Sequence, residues 1–183
     1  MRLVDPDSRY HRSFLAMLDE LTAAGEEHYV RLPSWGAEGS VPEVEFTRDS
    51  IDDADEFRAL VRFLLEQRRG DALRPRAYVA WTELWMVDGD EVVGRISLRH
   101  ELNELLFMWG GHIGYSVRPS ARRRGHATAA LAGMLEVCRE MDIDPVLVTC
   151  DVDNVASRRT IEGAGGVYED TREGKLRFWI DLA

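Results

Sequence analysis

Twelve consecutive residues, Val117-Arg118-Pro119-Ser120-Ala121-Arg122-Arg123-Arg124-Gly125-His126-Ala127-Thr128, read as a strand end, a basic turn and the first turn of a helix. The first amides of any helix lack an internal acceptor, and the aligned peptide dipoles add about half a positive charge, so such a terminus attracts phosphate. Gly125 carries no side chain to hold a phosphate off those amides. His126 and Thr128 can add side-chain donors, and Arg118, Arg122, Arg123 and Arg124 can supply bidentate ones. The turn lacks the Lys-Ser/Thr of a nucleotide-triphosphate loop, and no Gly-x-Gly-x-x-Gly fingerprint occurs in the chain. A nucleoside triphosphate or a nicotinamide dinucleotide is a poor ligand for such a turn.

The surroundings make the turn stand out. The chain has 23 Lys and Arg against 33 Asp and Glu, a net charge of −10, which speaks against a nucleic-acid partner. Yet from Leu105 to Leu135 there is no carboxylate, and all four arginines fall in that stretch. The length of 183 residues, 45% of them hydrophobic, suits one domain over residues 1–183, and no repeat or linker divides it. Cys138 and Cys150 lack zinc-site spacing and read as buried thiols of a reducing compartment, with no metal expected. The start has no apolar leader core, and no run reaches the roughly 18 apolar residues of a membrane span. These features predict a soluble cytoplasmic protein with no membrane partner, a monomer or homodimer.

The elements that must position the turn follow from periodicity. Apolar stripes predict helices over Ser13 to Ala24, Asp52 to Arg69 and Arg124 to Met141, with a Pro- and Gly-rich loop from Leu32 to Glu45. Asp88-Gly89-Asp90 joins two strands as a hairpin. His112 to Val117 alternates bulky Ile113, Tyr115 and Val117 with small Gly114 and Ser116. After the third helix, Val146 to Cys150 is a continuous apolar run, as in a strand buried on both faces. Strand, helix and buried strand make a βαβ unit, within an α/β mixed sheet. Asn154 can cap a helix from Val155 to Gly163, and strands over Val167 to Thr171 and Leu176 to Leu182 finish the chain.

The segment Arg122-Arg123-Arg124-Gly125-His126-Ala127 resembles the Arg/Gln-x-x-Gly-x-Gly/Ala signature of the GCN5-related N-acetyltransferases. The preceding Gly-Tyr-x-Val-x-Pro (Gly114 to Pro119), the buried strand about twenty residues on, and Asn154-x-x-Ser157 with Gly165 resemble further family features. The resemblance covers residues 112–166, while residues 1–80 match in helix–strand order alone. It implies a strongly bent mixed sheet in which the strands ending near Val117 and Cys150 splay apart to admit the pantetheine arm of acetyl-CoA. It implies phosphate binding by Arg122, Arg123, Arg124, Gly125, His126, Ala127 and Thr128, and pantetheine contacts at Val117, Arg118 and Pro119. Asn154 would bond the cofactor arm, a role compatible with helix capping. The first two helices and the Trp35 loop, within residues 1–80, would line the acceptor side.

Acetyl transfer to an amine needs an uncharged amine, a donor to the developing oxyanion and help for the departing thiolate. The resemblance makes the oxyanion donor a backbone amide near Val117. Glu101, Glu104, His100 and His112 are candidate bases, with His112 first among the histidines. Many family members place a Tyr seven residues after the Asn; here that position is Ile161, which cannot donate a proton. Ser157, one turn earlier, is the candidate acid, with Tyr115 and Tyr168 behind it. Two principal readings stay open: an N-acetyltransferase acting on a small-molecule or peptide amine, and a non-catalytic acyl-CoA-binding or regulatory module. A phosphoprotein-binding domain ranks last. The acidic excess leans toward a cationic acceptor such as a polyamine.

Overall fold

A computed structural model describes residues 1–182. In chain order the elements are β1 (Arg2–Val4), α1 (His11–Ala23), β2 (Ser34–Trp35), β3 (Val44–Glu45), α2 (Ala54–Glu66), β4 (Trp81–Asp88), β5 (Glu91–Arg99), β6 (Ile113–Val117), α3 (His126–Glu140), β7 (Val146–Asp151), α4 (Val155–Gly163), β8 (Val167–Arg172) and β9 (Lys175–Ile180). Seven strands form one mixed sheet in the order β1-β4-β5-β6-β7-β9-β8, and β2 and β3 make a separate ribbon. The predicted βαβ unit is present, since β6 and β7 are parallel while the other neighbours are antiparallel.

Alternation along β4 sorts the core into two layers. Trp85 and Val87 point to α1 and α2, packing with Phe14, Leu18, Phe57 and Leu60. Met86 points the other way, into a cluster with Leu131, Met134 and Cys138 of α3 and Ile161 of α4. Period two in the strand and a 3.6-residue stripe in the helices meet at that boundary. α2 starts where its sequence says it should: the Asp53 carboxylate accepts from the amides of Asp55 and Glu56.

The boundaries of the main helices and strands lie within a few residues of the sequence expectation, with three additions. β1 pairs with β4 through Leu3 opposite Met86, the Leu32 to Glu45 loop contains the β2–β3 ribbon, and a π-helical turn covers Leu106–Gly110. Trp35 in the ribbon is buried against Phe63, Tyr78 and Trp81. No helix among the described residues is long and apolar enough to cross a membrane.

Candidate active site

The site begins with two parallel strands that part. β6 and β7 share one residue pair in register, Ile113 with Val148, and the His112 amide donates to the Leu147 carbonyl at 2.7 Å. The His112 ring reinforces this apex, because its Nδ1 accepts from the Leu147 amide at 2.9 Å. Gly111, at φ 66°, makes the close approach possible: a Cβ there would sit 2.8 Å from the Leu147 carbonyl oxygen. Beyond the apex no further β6–β7 pair forms. The Arg118 amide donates to Val93 of β5, so strand alternation turns the Val117 N–H to the opposite edge, the one β7 has left.

Two cavities meet in this gap. One, of about 760 Å³, runs from Tyr115 and Ser116 to Gly125 and Thr128 at the start of α3. The other, of about 420 Å³, runs from the same strand to Arg95, Arg99 and Trp109. Tyr29, Tyr115, Asp151, Asn154 and Ser157 line both.

The first cavity ends on backbone. Gly125 is the N-cap of α3 at φ 79° with no side-chain cap bond, Arg123 is also left-handed at φ 62°, and a Cβ on Gly125 would meet open space. Two left-handed residues so close together turn the main chain sharply into α3, whose first amides are uncapped. His126 Nε2 is buried, without a hydrogen-bond partner, on a side chain that lines this cavity. An unpartnered ring nitrogen beside open amides fits a phosphate-bearing ligand, to which it donates in its N–H form.

The four arginines divide. Arg118 pairs with Glu20 of α1 at 2.8 Å, and the other oxygen of that carboxylate accepts from the Ser120 amide at 3.0 Å. Arg122 makes a bidentate pair with Glu26 at 2.7 and 2.6 Å and donates through Nε to the Val117 carbonyl. Although burial pushes Glu20 up, hydrogen bonds from Ser120 and Arg118 hold it below its ordinary value; the Arg122 bond does the same for Glu26. Arg118 and Arg122 thus tie the turn to α1 and the segment after it, leaving Arg123 and Arg124 exposed at the mouth.

At the gap itself, the Tyr115 hydroxyl and Ser157 Oγ are 2.8 Å apart, and Asn154 caps α4 by accepting from the Ser157 amide at 3.0 Å. Burial pushes the Tyr115 phenol up to about 12. Burial likewise pushes up the Cys150 thiol, which lines the second cavity. Ile161 is fully buried in the core, packed under Gly166.

The structure brings Val117, Arg122, Arg123, Gly125, His126, Ala127, Thr128, Asn154 and Ser157 to the first cavity. Arg118, Pro119 and Arg124 flank it. His112 and Glu101 line neither cavity. His112 is 7% exposed, and burial followed by the Arg99 charge lowers it to about 4, so it is a neutral hydrogen-bond acceptor at the strand apex. Glu101 is exposed on the loop after β5, where its charge acts on Arg74. His100 bonds Thr82 Oγ1, and burial lowers it. The small face of β6 is not bare, since a Cβ on Gly114 would meet Arg99 Nη1 at 3.0 Å. Sequence reasoning missed Tyr29, Asp151 and Arg99. Asp151, ending an otherwise apolar strand, carried a readable signal; Tyr29 and Arg99 carried none without the fold.

The acetyltransferase (GNAT) domain profile matches residues 20–167, most of the chain. This protein belongs to the GNAT acetyltransferase family. Solved structures of the same fold include Mycobacterium smegmatis RimJ in complex with CoA-disulfide (18% identity, TM-score 0.64, covering 98% of this chain and 81% of that one). The microcin C7 self-immunity acetyltransferase MccE, in complex with acetyl-CoA and AMP, aligns at 11% identity and TM-score 0.62 over 98% of this chain and 91% of its own. The ribosomal L7/L12 α-N-protein acetyltransferase RimL, in complex with coenzyme A, aligns at 18% and 0.57 over 97% and 90%. No curated protein matches by sequence. At these identities the structural likeness speaks to fold.

Proposed function

We propose that residues 1–183 act as one unit, an acetyl-CoA-dependent N-acetyltransferase whose acceptor is a primary amine. The reading is carried by the uncapped turn at the start of α3, opening onto the gap between β6 and β7 in a GNAT fold. The N–H groups of residues 123–128 and His126 Nε2 would hold the pyrophosphate, with Arg123 and Arg124 beside it. The Val117 to Pro119 edge and Asn154 would hold the pantetheine arm. Acetyl-CoA supplies an acyl group activated as a thioester.

The Val117 N–H, directed at the gap, is positioned to donate to the developing oxyanion. Tyr115 and Ser157 supply the hydroxyls that the Ile161 position lacks. A phenol pushed up to about 12 stays protonated at neutral pH. It stabilises a departing thiolate as a hydrogen-bond donor, since a thiolate of conjugate pKa ~8.5 does not take that proton outright. On the acceptor side, Asp151 is the carboxylate lining both cavities among the described residues, and it is placed to receive the amine proton directly or through water. His112 and Glu101 take no part in this scheme. The Tyr115–Ser157 pair at the gap favours catalysis over a binding-only module.

Isothermal titration with acetyl-CoA tests the cofactor site, and thiol release against an amine panel tests turnover. Absence of binding at millimolar acetyl-CoA would overturn the reading. Binding without turnover of any amine would favour the non-catalytic module.

A further inference from the structure

The second cavity has a charge opposite to that of the chain. Arg31, Arg95, Arg99 and Lys175 line it against one carboxylate, Asp151. Lys175 is already paired with Asp151 at 2.5 Å. Arg95 lies 3.3 Å from Glu83 Oε1, a carboxylate 4% exposed beneath the cavity on β4. Glu83 stands opposite Ser97 in the β4–β5 register, between Arg95 and Arg99 on the neighbouring strand, and its charge acts on Arg99, although its Oε1 makes no hydrogen bond. Two guanidiniums therefore share one buried carboxylate, and the exposed Arg31 adds a third to the lining. The imbalance has an atomic address: Arg99 Nη1 is buried and has no hydrogen-bond partner.

A buried guanidinium nitrogen without an acceptor at the wall of a cavity is costly without a ligand, because burial removes water that no protein acceptor replaces. Arg99 approaches Gly114, in the stretch of β6 between the apex and Tyr115. An anion bound there would sit within one small molecule's reach of the gap where the acyl group is transferred.

We propose that the acceptor is an anion-bearing amine: a small molecule whose own carboxylate or phosphate pairs with Arg99, supported by Arg31 and Arg95, while its amine reaches toward Tyr115 and Asp151. This rests on the acetyltransferase reading for the position of the amine. It replaces the cationic acceptor that the net charge of −10 favours. The surface excess of carboxylates is a property of the whole chain, whereas recognition follows the local lining.

The test is isothermal titration of four amines of similar length into the CoA-saturated protein: 4-aminobutyrate, O-phosphoethanolamine, butylamine and putrescine. One or both anion-bearing amines should bind at least about 10-fold more tightly than the other two. Which one does so distinguishes a carboxylate from a phosphate. Arg99→Met should erase that preference while leaving acetyl-CoA affinity as in the wild type, and Arg99→Lys should keep part of it. Putrescine binding as well as the anionic amines, no binding of either anionic amine, or an unchanged preference in Arg99→Met would each overturn the proposal. If Arg99→Met fails to fold, loss of the preference on raising KCl in the wild type decides the matter, with insensitivity to KCl counting against it. Failure of acetyl-CoA to bind is a separate outcome: it sinks the functional reading, and the four titrations remain readable on the protein alone.

Discussion

The two ends of the cleft handle positive charge in opposite ways. At the α3 end, Arg118 and Arg122 are neutralised by Glu20 and Glu26, and the proposed anion site is made mainly of main-chain N–H groups. At the Trp109 end side-chain guanidiniums outnumber the carboxylates lining the cavity, with Arg99 Nη1 left without a hydrogen-bond partner. A count of arginines is therefore a poor guide to where an anion binds. What matters is which guanidiniums the fold has already matched.

Both ends depend on the strand apex, and breaking it has the largest expected effect. His112 stays neutral in the fold at about 4, against ~6.5 when unfolded. The unfolded state thus takes up the proton first. The contribution is fully present above pH ~6.5, declines as pH falls through that window, and amounts to about 3 kcal/mol lost by pH 4. Urea midpoints at pH 7 and pH 4.5 should fall further for the wild type than for His112→Gln.

A carboxylate set among the amides should disable the α3 end alone. Gly125→Glu should weaken acetyl-CoA by about 100-fold in calorimetry, through repulsion and a side chain forced to φ 79°, with little change at the Arg99 end. Unchanged affinity would show that the cradle lies elsewhere. At the meeting point, Tyr115→Phe should lower kcat about 10- to 100-fold with acetyl-CoA affinity preserved, and adding Ser157→Ala should cost little more, since the two hydroxyls act together. Full additivity of the two effects would break that pairing.

The smallest effects separate the arginines from one another. Arg124→Ala should weaken acetyl-CoA only a few-fold and flatten its salt dependence. Arg122→Ala should instead lower the melting temperature, and its pH dependence gives the sign. Glu26 is held low by Arg122, so the tie is present above pH ~4.3 and lost as pH falls further. Equal effects of the two variants on binding and melting would erase the distinction.

The βαβ core was legible because each part has a periodic or continuous pattern: Ile113, Tyr115 and Val117, the stripe through Leu131, Met134 and Cys138, and Val146 to Cys150. Periodicity needs length, which is why the three residues of β1 and the two-residue strands of the ribbon escaped it. The helix start proposed as the cradle was legible because a helix N-terminus is a local object, set by Gly125 and its neighbours. The gap proposed as the catalytic centre was not. Tyr115 reads as a core residue by alternation, and only the departure of β7 opens the gap it lines. Arg99 matters through Gly114 and Glu83, from two other strands, a relation with no trace in the order of the residues.

The Glu26 tie has a consequence for how two ligands sense each other. The segment from Glu26 to Tyr29 is fastened at one end to the turn before α3 through Arg122, while its own His28 and Tyr29 wall both cavities. A single short stretch of chain is thus a common boundary of both compartments. Linkage then fixes a symmetry: whatever factor a ligand in one compartment exerts on the affinity of a ligand for the other, the second must exert on the first. Cutting the tie by Glu26→Gln should shrink both factors together.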